Sequence, residues 1–318
     1  MSVYTEVSTD QLNEFLTHYS VGELVDYRGI EAGVENTNYF VTTTKGQFVL
    51  TLFENIGFEE LPFCLGLTAF LSEHGLATAH PVMRDDHHYY GELCGKACTF
   101  VERLQGKAVK HPSVEQCAQI GHFVGRMHQL SPHFSEDRID NRWTEWRNQT
   151  ATELHPLLPE QQQALLSNEI EYQQQFDLDG LPKGVIHADL FHDNALFDGQ
   201  KLTGVIDFYN ACRGPMLYDL AIVVNDWCIH TDGTLDACKL EALLNAYQQE
   251  RKLTEAEIAH WSIMLRVAAM RFWLSRLVSI HEPQDEDVLV NHKDPDEFKH
   301  ILQDRQSLNE LPVALKSA

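Results

Sequence analysis

The chain has 318 residues, 43% of them hydrophobic and 10% aromatic, and a formal net charge of −23. This length and composition give a globular protein with a sizeable core and room for two lobes. The acidic balance excludes a general nucleic-acid binder, which needs a basic stripe, and adhesion to anionic membranes. It leaves open a phosphate ligand, because a few local cations and backbone amides can neutralise one. Seven cysteines, an odd number with no C-x-x-C pair, point to reduced and mostly buried thiols. No apolar run approaches the ~18 residues of a membrane span. Met1 to Asp10 is polar and acidic, unlike a signal peptide, so a cytoplasmic protein is expected.

Ser8-Thr9-Asp10-Gln11 has capping-box spacing before Leu12, Phe15, Leu16 and Tyr19, which predicts a first helix. Residues 25–30, 38–43 and 47–53 read as three strands, the last two joined by a turn at Lys45-Gly46. A helix over 58–74 follows, stopped by Gly75. Further strands are expected near 81–84, 89–92 and 96–101. From Gly106 the pattern turns helical. Ser113 opens another capping box, and Cys117, Ile120, Val124 and Met127 form its apolar stripe. The stretch 132–180 is polar and helix-rich, anchored by Trp143 and Trp146. Late helices are expected over 217–230, 235–251 and 255–280. The outline is a small β-rich N-terminal lobe, 1–101, a hinge at 102–106, and an α-rich C-terminal lobe, 107–318.

The most informative segment is His187-Ala188-Asp189-Leu190-Phe191-His192-Asp193-Asn194, followed by Val205-Ile206-Asp207-Phe208. It reads H-x-D-x-x-x-x-N, a hairpin, then an apolar strand ending in Asp. Phosphoryl transfer from ATP needs these parts: a carboxylate to orient and deprotonate a hydroxyl, and an Asn and an Asp to hold magnesium. The turn dipeptide Asp198-Gly199 predicts antiparallel strands on either side. Pairing across it brings Asn194 back to within about two residues of Asp207, roughly 7 Å at strand rise. The competing reading is a set of polar loop residues around an ordinary hairpin.

Downstream, Leu265, Val267, Ala268, Ala269, Phe272, Trp273, Leu274, Leu277 and Val278 surround one helix, which must be buried. It also carries Arg266, Arg271 and Arg276, and buried charges need partners. Arg271 or Arg276 could grip a substrate carboxylate bidentately, or pair internally with Asp219 or Asp226. Asp226 could meet a substrate ammonium or pair within the lobe. Asp219 is expected to be structural, pairing with loop amides or an arginine. His187 is expected to brace the loop by hydrogen bonds. Tyr209, Asn210, Asn225 and Trp227 are further pocket candidates.

Residues 33–40 (GVENTNYF), 48–54 (FVLTLFE), 185–194 (VIHADLFHDN), 217–221 (LYDLA), 225–228 (NDWC) and 271–277 (RFWLSRL) carry a resemblance. They resemble bacterial homoserine kinases of the aminoglycoside phosphotransferase and choline kinase branch of the protein-kinase-like fold. The resemblance spans nearly the whole chain. It implies an α+β, two-lobe fold and ATP-dependent phosphorylation of the L-homoserine hydroxyl in threonine biosynthesis. A monomer or homodimer is expected, and the sequence does not choose between them. The resemblance further implies Asp189 as catalytic base, with Asn194 and Asp207 as the magnesium (Mg2+) ligands. Gly33, Val34, Asn36, Thr37 and Asn38 match the phosphate-covering loop, and Glu102 and Leu104 the linker whose backbone would meet adenine. One departure is Thr51, which stands where such kinases carry a strand Lys or Arg. Lys45, Arg28, another cation, or backbone amides with magnesium must then meet the phosphates. Glu59 and Glu60, without that lysine to pair with, are expected on a solvated helix face. His192 stands where Arg is expected and could neighbour a phosphate. Other readings are a choline, ethanolamine or aminoglycoside kinase of this fold, or a silent nucleotide-binding interaction protein.

Overall fold

The structure is a computed structural model that describes residues 5–30, 36–281, 293–308 and 310–316. Helix α1 (Thr9–Leu16) opens with the capping box of Ser8 and Gln11. Then come strands β1 (Leu24–Gly29), β2 (Asn36–Thr43) and β3 (Gly46–Phe53), helix α2 (Leu61–Glu73), and strands β4 (Tyr90–Leu93) and β5 (Lys96–Glu102). The strands form one antiparallel sheet in the order β1-β2-β3-β5-β4. Strict alternation in β2 buries Tyr39 and Val41 on one face, in a cluster with Leu12, Phe15 and Leu16 of α1. On the other side Phe53 packs with Leu61 and Leu65 of α2.

Two expectations need correction here. Residues 58–60 form a turn, and α2 starts only at Leu61, with Pro62 setting its first turn. Residues 81–84 make no strand but a single bridge, Pro81 to Val101. The pairing edge of β5 over Lys96–Thr99 is already occupied by β4, and Pro81 has no N–H to extend a ladder.

The second lobe holds β6 (Lys107–Ala108), α3 (Val114–Leu130), α4 (Thr144–Leu154), α5 (Glu160–Gln173), β7 (Lys183–Ile186), β8 (Ala195–Asp198), β9 (Lys201–Val205) and β10 (Cys212–Pro215). It continues with α6 (Met216–Trp227), α7 (Ala237–Glu250), α8 (Glu255–Ala259), α9 (Trp261–His281), α10 (Pro295–Gln306) and α11 (Val313–Lys316). The expected helix 255–280 is two helices, broken at His260. Thr254 and Glu257 make a capping box for the first of them. The core lies among α3, α6, α7 and α9 and contains the fully buried Trp227 and Trp273. Helices α3 and α7 touch backbone to backbone: a Cβ at Gly121 would lie 2.2 Å from the Leu243 carbonyl oxygen. The two-lobe, α+β fold is the one expected from the sequence. No helix among the described residues is long and apolar enough to cross a membrane.

Small ladders carry the motif. Strand β7 pairs with β10, and β8 lies between β6 and β9. The first lobe reaches this hairpin through Val205, whose amide donates to the Ala77 carbonyl at 2.8 Å.

Candidate active site

Asp189 sits in the loop leaving β7. The preceding Ala188 has φ 62°, a left-handed conformation that costs a non-glycine residue about 1–3 kcal/mol. Asp219, in the first turn of α6, offsets that cost. Its carboxylate accepts from the amide of His187 at 3.0 Å and from the amide of Ala188 at 2.8 Å. His128 Nε2 lies 3.1 Å from the same carboxylate. Asp219 is fully buried. Burial pushes its carboxyl up, but the His128 hydrogen bond and charge, the His187 charge and the His187 amide together hold it below the usual range. The structural role expected for Asp219 is met by loop amides and a histidine.

His187 braces the loop as expected. Its Nε2 lies 3.0 Å from the carbonyl oxygen of Ile206. Complete burial pushes its pKa down. Nε2–H donates to that carbonyl, and Nδ1 has no hydrogen-bond partner. This bond ties the end of β7 to the residue before Asp207.

The hairpin brings the two expected metal ligands closer than simple pairing does. A bulge at Leu196–Phe197 shifts the register, so Ala195 faces Val205. The Ile206 amide then donates to the Asn194 carbonyl at 3.0 Å, which leaves Asp207 one step beyond Asn194 rather than two. Asp207 has φ 66° and turns the chain into a short helical turn, Phe208–Asn210. The Asn194 side-chain Nδ2 donates to the Asp189 carbonyl at 2.9 Å. That commits the amide nitrogen and leaves Oδ1 as the side chain's oxygen donor for a cation. An amide oxygen and a carboxylate suit magnesium, which keeps water and phosphate oxygens in its remaining positions.

Around the Asp189 side chain, Asn210 Nδ2 donates to Oδ2 at 3.3 Å, and Arg142 Nη1 donates to Asn210 Oδ1 at 3.1 Å. The loop carrying Arg142 is pinned to β10, through the Arg213 amide and the Arg138 carbonyl at 2.7 Å. Arg138 also bonds the carbonyls of Tyr209 and Ala211. Its Nη2 lies 2.5 Å from Glu60 at the start of α2. Glu60 is half-exposed but held by this ion pair, while Glu59 is exposed as expected. Glu60 joins the first lobe to the segment that follows Asp207.

On the nucleotide side, Gly33 and Val34 lie outside the described residues. Asn36, Thr37 and Asn38 begin β2. Thr37 Oγ1 donates to Glu54 at 2.7 Å, and Glu54 also pairs with Lys96. Thr51 is buried, and its hydroxyl donates to Asn38 Oδ1 at 2.7 Å. Tyr209, half-buried edge-on against Phe53, has its phenol raised well above its usual range by burial. Thr51 thus ties β3 to β2 by a polar bond. Lys45 sits at the far end of the β2–β3 hairpin, bonded to the Ser20 carbonyl, and Arg28 lies over the Phe40 ring. Glu102 ends β5, and its amide donates to the His80 carbonyl at 3.0 Å. Leu104 packs onto β9 at Gly204, where a Cβ would lie 2.2 Å from Leu104 Cδ1.

The three arginines of α9 separate clearly. Arg266 is bidentate to buried Glu169, with closest approach 2.6 Å. Arg276 pairs with Glu297 at 2.6 Å and with the Asp294 carbonyl. Arg271 is 3% exposed and, among the described residues, has no hydrogen bond or ion pair; its guanidinium lies 3.8 Å from the Phe272 ring centroid. Asp226 accepts from the His192 amide at 2.6 Å and lies 2.8 Å from His192 Nδ1. Trp227 donates to the Leu190 carbonyl and Asn225 to the Leu265 carbonyl, so both are framework. Sequence reasoning missed Arg142. It falls in a polar stretch with no periodic signal, and only the fold brings it to Asn210 beside Asp189.

A model of the phosphotransferase enzyme family matches residues 26–253. The chain is 48% identical to a homoserine kinase of Methylobacillus flagellatus, over 95% of this chain and 94% of the relative. It is 42% identical to a homoserine kinase of Pseudomonas aeruginosa, over 99% and 100%. Among solved structures it resembles an amicoumacin kinase complex (TM-score 0.69, 17% identity, 94% and 92% covered) and a microcompartment-associated aminopropanol kinase (TM-score 0.66, 16% identity, 94% of each). At such identities these two speak for the fold.

Proposed function

The chain belongs to the phosphotransferase enzyme family, and from that premise we propose that it transfers the γ-phosphoryl group of ATP to the side-chain hydroxyl of L-homoserine, giving O-phospho-L-homoserine and ADP. The near full-length similarity to homoserine kinases carries this reading. It makes the protein a small-molecule kinase of threonine biosynthesis, working in the cytoplasm. Residues 1–101 form the nucleotide-binding lobe, 102–106 the hinge and 107–318 the catalytic and substrate-binding lobe.

In this mechanism the homoserine oxygen attacks the γ-phosphorus. The bond to the bridging oxygen breaks and ADP leaves. Asp189 orients the hydroxyl and accepts its proton. Asn210 steadies one Asp189 oxygen, and Asp219 sets the backbone from which Asp189 projects. Asn194 Oδ1 and the Asp207 carboxylate would hold magnesium, which supplies charge neutralisation at the phosphates. Residues 33–38 would cover the phosphates, and the backbone at Glu102 and Leu104 would meet adenine. Thr51 supplies no charge, so the phosphates rely on backbone amides and metal. Arg271 supports recognition of the substrate carboxylate, because a buried guanidinium without an anion is costly until one arrives. Arg276 and Asp226 already have partners and are weaker substrate contacts.

The test is a coupled ADP-release assay with magnesium-ATP against L-homoserine, choline, ethanolamine and an aminoglycoside. Preferred turnover of homoserine is expected. Preference for a substrate without a carboxylate overturns the reading in favour of another kinase of the fold. Turnover of none of them points to a silent nucleotide-binding protein.

A further inference from the structure

We propose that Arg147 and Asp140, with Arg271, form the amino-acid end of the substrate site: the two guanidiniums take the α-carboxylate and Asp140 takes the ammonium. This rests on the homoserine reading and names residues that it does not supply.

Arg147 lies on α4 and is 2% exposed. Its Nη2 reaches only the Thr144 hydroxyl, at 3.3 Å, and its Nη1 is buried without a partner. Its guanidinium stacks 4.7 Å from the Trp143 ring centroid. Among the described residues no carboxylate lies within ion-pair distance of it, although the charges of Asp140 and Asp179 act on it. Arg271, on the neighbouring α9, likewise has no ion pair. A buried guanidinium normally has an acid bonded to it, as Arg266 has Glu169. Two without a bonded acid, on two packed helices, mark a place suited to an anion that arrives from outside.

Both lie within electrostatic reach of Tyr218. Trp143, under Arg147, meets the Tyr218 ring edge-on at 5.0 Å, and the charges of Arg147, Arg271 and Asp140 all act on its phenol. Tyr218 immediately precedes Asp219, which holds the Asp189 loop. Asp140 Oδ1 accepts the Arg142 amide at 2.8 Å, while Oδ2 is buried and unpartnered. From Asp140 a short chain runs through Arg142 and Asn210 to Asp189. A zwitterion with its hydroxyl at Asp189 would meet Asp140 at the end of this chain, with the two arginines beside it around Tyr218. Planar forks suit a carboxylate, and the unpartnered carboxylate oxygen suits an ammonium.

The experiment compares kcat/KM for L-homoserine, 3-aminopropanol, which lacks the carboxylate, and 4-hydroxybutanoate, which lacks the ammonium, in wild type, Arg147→Met and Asp140→Asn. In Arg147→Met the preference for homoserine over 3-aminopropanol is expected to fall by roughly 10²-fold, as for truncation of one member of a buried charge pair. In Asp140→Asn the preference over 4-hydroxybutanoate should fall. A structural role lowers the turnover of all substrates together and leaves these ratios in place; unchanged ratios overturn the proposal. If Arg147→Met does not fold, Arg147→Lys serves. It keeps the charge but loses the fork, so the same preference should drop, and an unchanged preference again overturns the proposal. A wild-type enzyme that does not discriminate among the three overturns the homoserine reading itself, a result distinct from ratios that persist in the variants.

Discussion

Asp219 holds the amide of Ala188 at 2.8 Å and so fixes the backbone one residue before Asp189. The same carboxylate holds the His187 amide and His128. Replacing it by alanine leaves two loop amides and a histidine unpaired in the core. Asp219→Ala should lose about 3–5 kcal/mol of stability in urea unfolding, the range for breaking a buried charged pair. Its kcat should fall more than its KM for ATP rises, because the misplaced group is Asp189.

The metal pair gives a graded expectation. As proposed ligands, Asp207 would supply charge and an oxygen, whereas Asn194 would supply an oxygen alone. Asp207→Ala should lose magnesium-dependent ATP binding and turnover more severely than Asn194→Ala. Titration of activity against magnesium in both variants checks the order, and unchanged magnesium dependence in both contradicts the pairing.

Thr51 should prove modest. Its hydroxyl bonds Asn38, and a net hydrogen bond is worth about 1 kcal/mol, or roughly fivefold in an equilibrium. Thr51→Ala should therefore raise the KM for ATP by no more than roughly tenfold, with kcat largely kept. Complete loss of turnover in a folded variant contradicts the view that the phosphates are met elsewhere.

The His192–Asp226 pair should make stability depend on pH. The Asp226 hydrogen bond raises the His192 pKa, outweighing the opposing effect of burial. A raised folded pKa means the contribution is fully present below the ordinary histidine value, about 6.5, and is lost as pH rises through the folded value. Asp226→Asn should therefore lower Tm more at pH 6 than at pH 9. A Tm difference that grows with pH contradicts this pairing.

Much of this was legible in the sequence because it depends on local chemistry. The Ser8 and Ser113 capping boxes, the Asp198-Gly199 turn and the H-x-D-x-x-x-x-N spacing are short-range signals, and each sits where it was expected. The bulge that draws Asn194 closer to Asp207 was not legible, because Asp198-Gly199 specifies a turn but not a slip in the ladder beyond it. The ion pair between Glu60 and Arg138 spans 78 positions and leaves no periodic trace. For α9 the sequence supplied three arginines on a buried helix without ranking them. Only tertiary packing gives Arg266 and Arg276 their acids and leaves Arg271 without one.

The central claim is that Asp189 accepts the proton of the homoserine hydroxyl. The most direct measurement is the kcat of purified, folded Asp189→Asn for L-homoserine, with ATP affinity measured alongside. The shape is kept and the basicity removed, so kcat should fall by roughly 10²–10⁴-fold while ATP still binds. Near wild-type kcat in that variant contradicts the account.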